Sequence, residues 1–148
     1  MSWNKRHWFW NLLIGLTLLV CALAFAAHYK NWIRMEEDHV TIFSGIYYRE
    51  LPYAGLDSVT MVDKIPSMER ISGFSAWTTE KGVFKDSLHP QNKVYVYVDD
   101  LSQPKIRLVQ DDSLLLFFNL SDSTRTRQVF EFLSARREIP VTQEFKTD

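Results

Sequence analysis

Four histidines, His7, His28, His39 and His89, are the residues best suited to acid–base or metal chemistry, and they are scattered along the chain. None stands at the i, i+4 helical spacing with a glutamate that a zinc hydrolase needs. His89 follows Asp86 by three residues and could share a metal with it, but a loop histidine beside Pro90 is more simply surface. Asp99-Asp100 and Asp111-Asp112 pair carboxylates in sequence, and hairpin tips explain both, because short carboxylates tolerate turn geometry. Glu36-Glu37-Asp38 lacks the alternating carboxylates and glycine of a calcium loop and reads as a solvated helix end. Cys21 is the only cysteine, which excludes an intramolecular disulfide and a Cys-based zinc site. No Gly-x-Ser-x-Gly, phosphate-binding loop or Gly-rich dinucleotide turn occurs. No catalytic residue, metal or cofactor is therefore expected, and an enzyme ranks last among the functional readings.

The element that positions everything else is Trp8–Ala27, WFWNLLIGLTLLVCALAFAA, twenty residues without a charged side chain. At about 1.5 Å of rise per residue this run is about 30 Å long, the thickness of a bilayer's hydrocarbon core. The sequence predicts a single transmembrane helix after a short tail, residues 1–7. Trp8 and Trp10 mark one rim, Tyr29 and Trp32 the other, as amphipathic rings at headgroup level do. Lys5 and Arg6 lie before the span, and Lys30 and Arg34 after it, placed to reach outward to headgroups. These eight residues are the expected interface anchors. Ala22 and Ala26 form a small-xxx-small pair that would let two helices approach and a homo-oligomer form. An alanine-rich helix end is the simpler reading of the same pair.

A cleaved signal peptide is the rival reading, since a charged start, an apolar centre and Ala22, Ala24 and Ala26 fit it too. Against it stand an apolar run longer than the usual 7 to 15 residues and the aromatic belt at the far end. Two Lys/Arg precede the span and two follow closely, so the charge rule hardly separates the orientations. The short tail with Lys5 and Arg6 favours the cytoplasm, which puts the domain outside. Residues 28–39 carry no Gly or Pro and are rich in helix formers, so the helix is expected to run on as a juxtamembrane stalk.

From Val40 the texture changes. Short runs rich in Val, Ile, Phe, Tyr and Thr alternate with Gly, Pro, Asn and Asp every 8 to 12 residues, the pattern of a β barrel or sandwich. About seven strands are expected, with turns at Ser44-Gly45 and Asp111-Asp112 and a stop at Pro66. Lys93–Val98 alternates, Val94, Val96 and Val98 on one face and Tyr95 and Tyr97 on the other. SDSTRTRQVFEFLSARRE, from Ser121, supplies helix N-caps, with Asp122 near the positive end of the dipole and Arg136 and Arg137 near the negative end. Val129, Phe130 and Leu133 share one face. Residues 138–148 read as a loosely held tail.

The composition, 46% hydrophobic and 14% aromatic, excludes a disordered chain. From Arg49 onward the chain carries 13 Lys and Arg against 15 Asp and Glu. A nucleic-acid partner would need a clustered cationic excess and is set aside. Arg125, Arg127, Arg136 and Arg137 could face anionic lipid, and Trp77 could anchor a partner or the membrane. The plainer uses are a solvated helix face and half-packed core.

The order of elements from Val40 to Arg137 resembles the bacterial pleckstrin-homology-like domains. The matching residues are Ile46-Tyr47-Tyr48 after Gly45, the Ile65-Pro66 stop, Arg70-Ile71-Ser72-Gly73-Phe74, the Lys81-Gly82-Val83-Phe84 turn, and the helix entry over Asn119–Leu133. The resemblance implies a partly open β barrel over residues 40–137, capped by its C-terminal helix. It also implies a binding module beside a bacterial cytoplasmic membrane. Relatives that hold inositol phosphates use Lys and Arg in and beside the first hairpin loop; here that loop is only Ser44-Gly45, so phosphoinositide binding is disfavoured. The expected function is a non-catalytic, single-span membrane protein presenting a PH-like module to a protein partner near the lipid bilayer. The alternative is a processed extracytoplasmic β protein holding a small apolar ligand.

Overall fold

The computed structural model describes residues 3–138, with side chains from 7 to 137; the side chains of Lys5 and Arg6 and the C-terminal tail lie outside the described residues. The apolar run lies in helix α1, Trp3–Tyr29. One stretch of it, His7–Tyr29, is long and apolar enough to cross a membrane. Leu12, Ile14, Leu16, Leu18 and Leu23 point outward on all sides with no protein around them. A helix apolar all round has no face to offer water and belongs in a core or in lipid.

The helix does not continue as a stalk. It ends at Tyr29, and Asn31–Met35 is already strand β1, paired with β2 (His39–Ser44), which pairs in turn with β3 (Tyr47–Pro52). Residues 29–39 favour a helix in isolation, but the ladder bonds of Trp32 to Phe43 and Ile33 to Ile42 outweigh a propensity of a few tenths of a kcal/mol per residue. The β domain thus takes in Asn31–Met35, and Lys30 alone separates it from the helix.

After a 3-10 turn at Tyr53–Gly55 come β4 (Leu56–Val62), β5 (Met68–Ala76), β6 (Thr79–Asp86), β7 (Lys93–Val98), β8 (Lys105–Gln110), β9 (Leu114–Phe118) and helix α2 (Ser123–Glu138). The expected partly open barrel of about seven strands is replaced, among the described residues, by nine strands in two sheets, one ordered β1-β2-β3 and one ordered β4-β8-β9-β7-β6-β5. The larger sheet stays open because β4 and β5 are its two edges and β7 and β9 run parallel; every other pair is antiparallel. A hairpin meander closes more readily than a sheet whose chain must cross over, as this one does between β7 and β9.

The central strands of the larger sheet are buried on both faces. On one, Tyr97, Ile106, Leu108, Leu116 and Phe118 meet Val40, Ile42 and Leu51 of the smaller sheet and Val129 and Leu133 of α2. Tyr47 stacks on Tyr97 at 5.4 Å, and the Arg49 guanidinium lies 3.9 Å over the Tyr95 ring. On the other face, Val94, Val96 and Val98 join Phe84 and Phe117, roofed by Ile65, Met68 and Leu101. The alternation of KVYVYV therefore divides between two cores. In α2, Val129 and Leu133 are buried and Phe130 is half-buried. The Asp122 carboxylate accepts from the Thr124 N–H at 2.8 Å, capping the helix as Asp does.

Candidate membrane junction

Where α1 meets the sheets, the polar groups cluster. The four last carbonyls of a helix have no partner within it, and a buried helix end needs donors from elsewhere. Lys81, in the middle of β6, supplies one: its Nζ donates to the carbonyl of His28 at 2.8 Å. The same ammonium sits 3.0 Å from Asp99, with both side chains essentially removed from solvent, 0% and 1% exposed. The Asp99 carboxylate then accepts from the Asn31 backbone N–H at 3.0 Å and from the N–H and hydroxyl of Ser121 at 3.2 and 3.1 Å. One carboxylate thereby ties together the exit of α1, strand β6 and the approach to α2.

Asn31 and Asn119 complete the joint. The Asn31 amide donates to the carbonyls of Tyr97 and Asn119 at 2.6 and 2.8 Å. The Asn119 side-chain oxygen accepts from the N–H groups of Asp99 and Asp100, while its amide donates to the Asp100 carbonyl at 2.7 Å. Thr79 adds a hydroxyl to the Asp99 carbonyl. Burial pulls the Lys81 pKa below the ordinary lysine value, and the neighbouring Asp99 works against that shift. Such a pair is poor evidence of net stability, but once built it is costly to break, since either partner alone would be a buried, unmatched charge.

Two hairpin tips flank the exit, one from each sheet. The β2–β3 turn passes against His28: a Cβ at Gly45, which has φ +67°, would lie 2.6 Å from the His28 ring. From the larger sheet, Phe74 of β5 lies 6.0 Å from the same ring, and Trp77, at the β5–β6 turn with φ 52°, meets Phe25 edge-to-face at 6.4 Å. His28 Nδ1 donates to the Ala24 carbonyl at 2.8 Å, which keeps the imidazole folded against α1 between the tips.

The expected anchors separate into groups. Trp8 and Trp10 are exposed at the start of α1; Tyr29 and Lys30 are exposed at its end. Trp32 lies on the outer face of β1, in one row with its cross-strand neighbours Phe43 and Tyr48. Arg34 is exposed and 3.8 Å from Glu36. Trp77 is 84% exposed, not half-packed core. The four arginines of α2 do not form one patch. Arg125 and Arg127 are exposed on the half nearer the joint. Arg136 donates to the Glu37 carbonyl at 3.1 Å and lies 5.3 and 5.2 Å over the rings of Tyr53 and Phe132, at the end of α2 away from the joint.

Lys81, Asp99, Asn31 and Asn119 escaped sequence reading. Asp99 was expected at a hairpin tip, yet it is Asp100 that makes the turn, accepting from the N–H and hydroxyl of Ser102 at 2.9 and 2.6 Å. The available signal was register: Lys81 shares the inward face of β6 with Thr79, and a lysine on that face needs an acid opposite.

A cleft of about 380 Å³ opens on the curved face of the larger sheet, lined by Ile65, Met68, Phe84, Val96 and Leu101 together with Glu80 and Lys105. Two of its ionisable groups are engaged, since Lys105 donates to the carbonyls of Asp63 and Leu101 and Glu80 pairs with Arg70 at 3.0 Å, while Lys64 lines the cleft as an exposed side chain. Asp86 holds His89 at 3.3 Å, and among the described residues no three His, Cys, Asp or Glu gather as a metal site. No family model matches this chain, and neither a curated protein nor a solved structure does.

Proposed function

We propose that this chain is a single-span membrane protein whose β domain, PH-like in its order of strands followed by a helix, is a non-catalytic binding and assembly module held against a bacterial cytoplasmic membrane. The joint carries the reading: a helix with no protein around its apolar sides enters a buried polar network after a single connecting residue. A helix that served only for export would gain nothing from such a fit. Lys5 and Arg6, held in the cytoplasm before the span, would put the domain on the extracytoplasmic side. Binding through a strand edge fits best, because β5 is a nine-residue edge strand whose middle residues, from Glu69 to Gly73, are all exposed. An open edge presents unpaired backbone donors and acceptors to a partner's strand.

Alkaline carbonate extraction tests the anchoring: the full chain is expected in the membrane pellet, and its release to the supernatant overturns the reading. A photo-crosslinking residue at Ile71 on β5 tests the edge. Adducts to a protein partner are expected from Ile71 and not from exposed Leu88; equal labelling from both positions removes β5 as the docking edge.

A further inference from the structure

The hairpin tips beside the helix exit carry residues that a water-facing turn would not choose. The β5–β6 turn is Trp77-Thr78, with Trp77 84% exposed; the β2–β3 turn is Gly45-Ile46, with Ile46 76% exposed. Both tips are pinned to α1 and not to each other. Phe25, which holds the Trp77 ring, lies inside the apolar run and one helical turn, about 5.4 Å, before Tyr29. If Trp8–Ala27 fills the hydrocarbon core, a ring against Phe25 cannot stand clear of the bilayer; it lies at the boundary between acyl chains and headgroups. That depth is where tryptophan is enriched in membrane proteins, an apolar body with one polar tip. Ile46 is carried by the other tip, whose turn packs on His28, one turn further along α1 than Ala24.

We infer that the domain rests on the bilayer at three points: the α1 exit, Trp77 and Ile46, with both hairpin tips inserted into the lipid interface. The occupant is lipid, of either headgroup charge, since the tips offer apolar side chains and no cation of their own. The helix exit together with two tips, one from each sheet, fixes the tilt of the domain over the membrane, which one helix alone cannot do. The β5 edge, which starts from the Trp77 turn, is thereby held at a set angle to the surface. This inference rests on the span proposed above, and its test separates the two.

Spin labels on single cysteines in a Cys21→Ser background report depth in full-length protein reconstituted into phosphatidylcholine–phosphatidylglycerol vesicles, from collision with oxygen against a water-soluble nickel chelate. Labels at Leu16 and Leu88 give the lipid and water references; Leu88 lies in the β6–β7 loop, at the end of β6 away from Trp77. Ile46→Cys and Trp77→Cys are expected to give an oxygen-to-nickel ratio several-fold above that of Leu88→Cys. Thr78→Cys keeps the tryptophan and gives the same readout if Trp77→Cys disturbs the turn. Water-like ratios at 46, 77 and 78 with a lipid-like ratio at Leu16 overturn the three-point seat and leave the span intact. A water-like ratio at Leu16 overturns both. Labels at 46 and 77 shielded from oxygen and nickel alike mean that protein covers the tips, which overturns lipid as the occupant.

Discussion

The two ends of one helix obey different rules. From Trp8 to Ala27, α1 needs only length and hydropathy, and its exposed side chains touch little else in the chain. At His28 and the Asn31 just past the helix end, every atom matters: a carbonyl is capped by Lys81, an N–H by Asp99, and a turn passes so close that only glycine fits at position 45. The first region asks only for apolar side chains on every face, whichever they are. The second asks for particular ones, because its surroundings are a fixed set of partners. The apolar run thus sets what can surround the helix, and the joint sets how the domain is held to it.

Removing the carboxylate at the joint should break this division most sharply. Asp99→Ala leaves the Lys81 ammonium buried without its counter-charge and strips an acceptor from Asn31 and Ser121. A loss of about 3–5 kcal/mol is expected for such a broken buried pair. Urea unfolding in detergent, followed by near-ultraviolet circular dichroism of the domain, measures it. Membrane retention should be unchanged. A loss as small as that of an exposed pair, below about 1 kcal/mol, would show that the joint is not the fixed region described here.

The opposite perturbation is Leu16→Arg, in the middle of the span and exposed on α1. A charge at the centre of an inserted helix costs about 2.5–3.5 kcal/mol on insertion scales. The expected outcome is a larger fraction released by carbonate, with the unfolding midpoint of the domain unmoved. If the midpoint falls as far as in Asp99→Ala, the apolar part of α1 is packed protein and the comparison fails.

What the sequence made legible follows the same divide. The span needed only composition, the strands only alternation, and α2 only its caps and the spacing of Val129 and Leu133. Each signal lies within one continuous stretch of at most twenty residues. The helical stalk failed because Asn31–Met35 is held by the next strand, Val40–Ser44, and by Tyr97, Asp99 and Asn119, the last three far away along the chain. Asp99 is the sharper case. A carboxylate beside Asp100 and ahead of Ser102 looks like any turn, and nothing local tells that its partners are Lys81, Asn31 and Ser121. Closure of the barrel was equally out of reach, because the parallel pairing of β7 with β9 depends on the path of the whole sheet.

The smallest expected effect probes the charge on Lys81 directly. Burial lowers its folded pKa, so between that value and the unfolded value of about 10.4 the unfolded chain binds more protons than the native one. Stability therefore rises with pH through this window, is complete above the unfolded value, and is lost as pH falls through the folded one. Tyr97 pulls the other way. Burial is the main cause that raises its hydroxyl pKa, so its contribution is present below about 10 and lost as pH rises through the folded value. The raw profile mixes both, and the difference between wild type and Lys81→Met isolates the lysine. That difference should widen in favour of wild type as pH climbs from about 7 to about 10. A difference that stays flat over this range would mean that Lys81 keeps an ordinary, water-like environment, and the joint would then be an open surface ion pair with no more hold on the domain than the apolar run of the same helix.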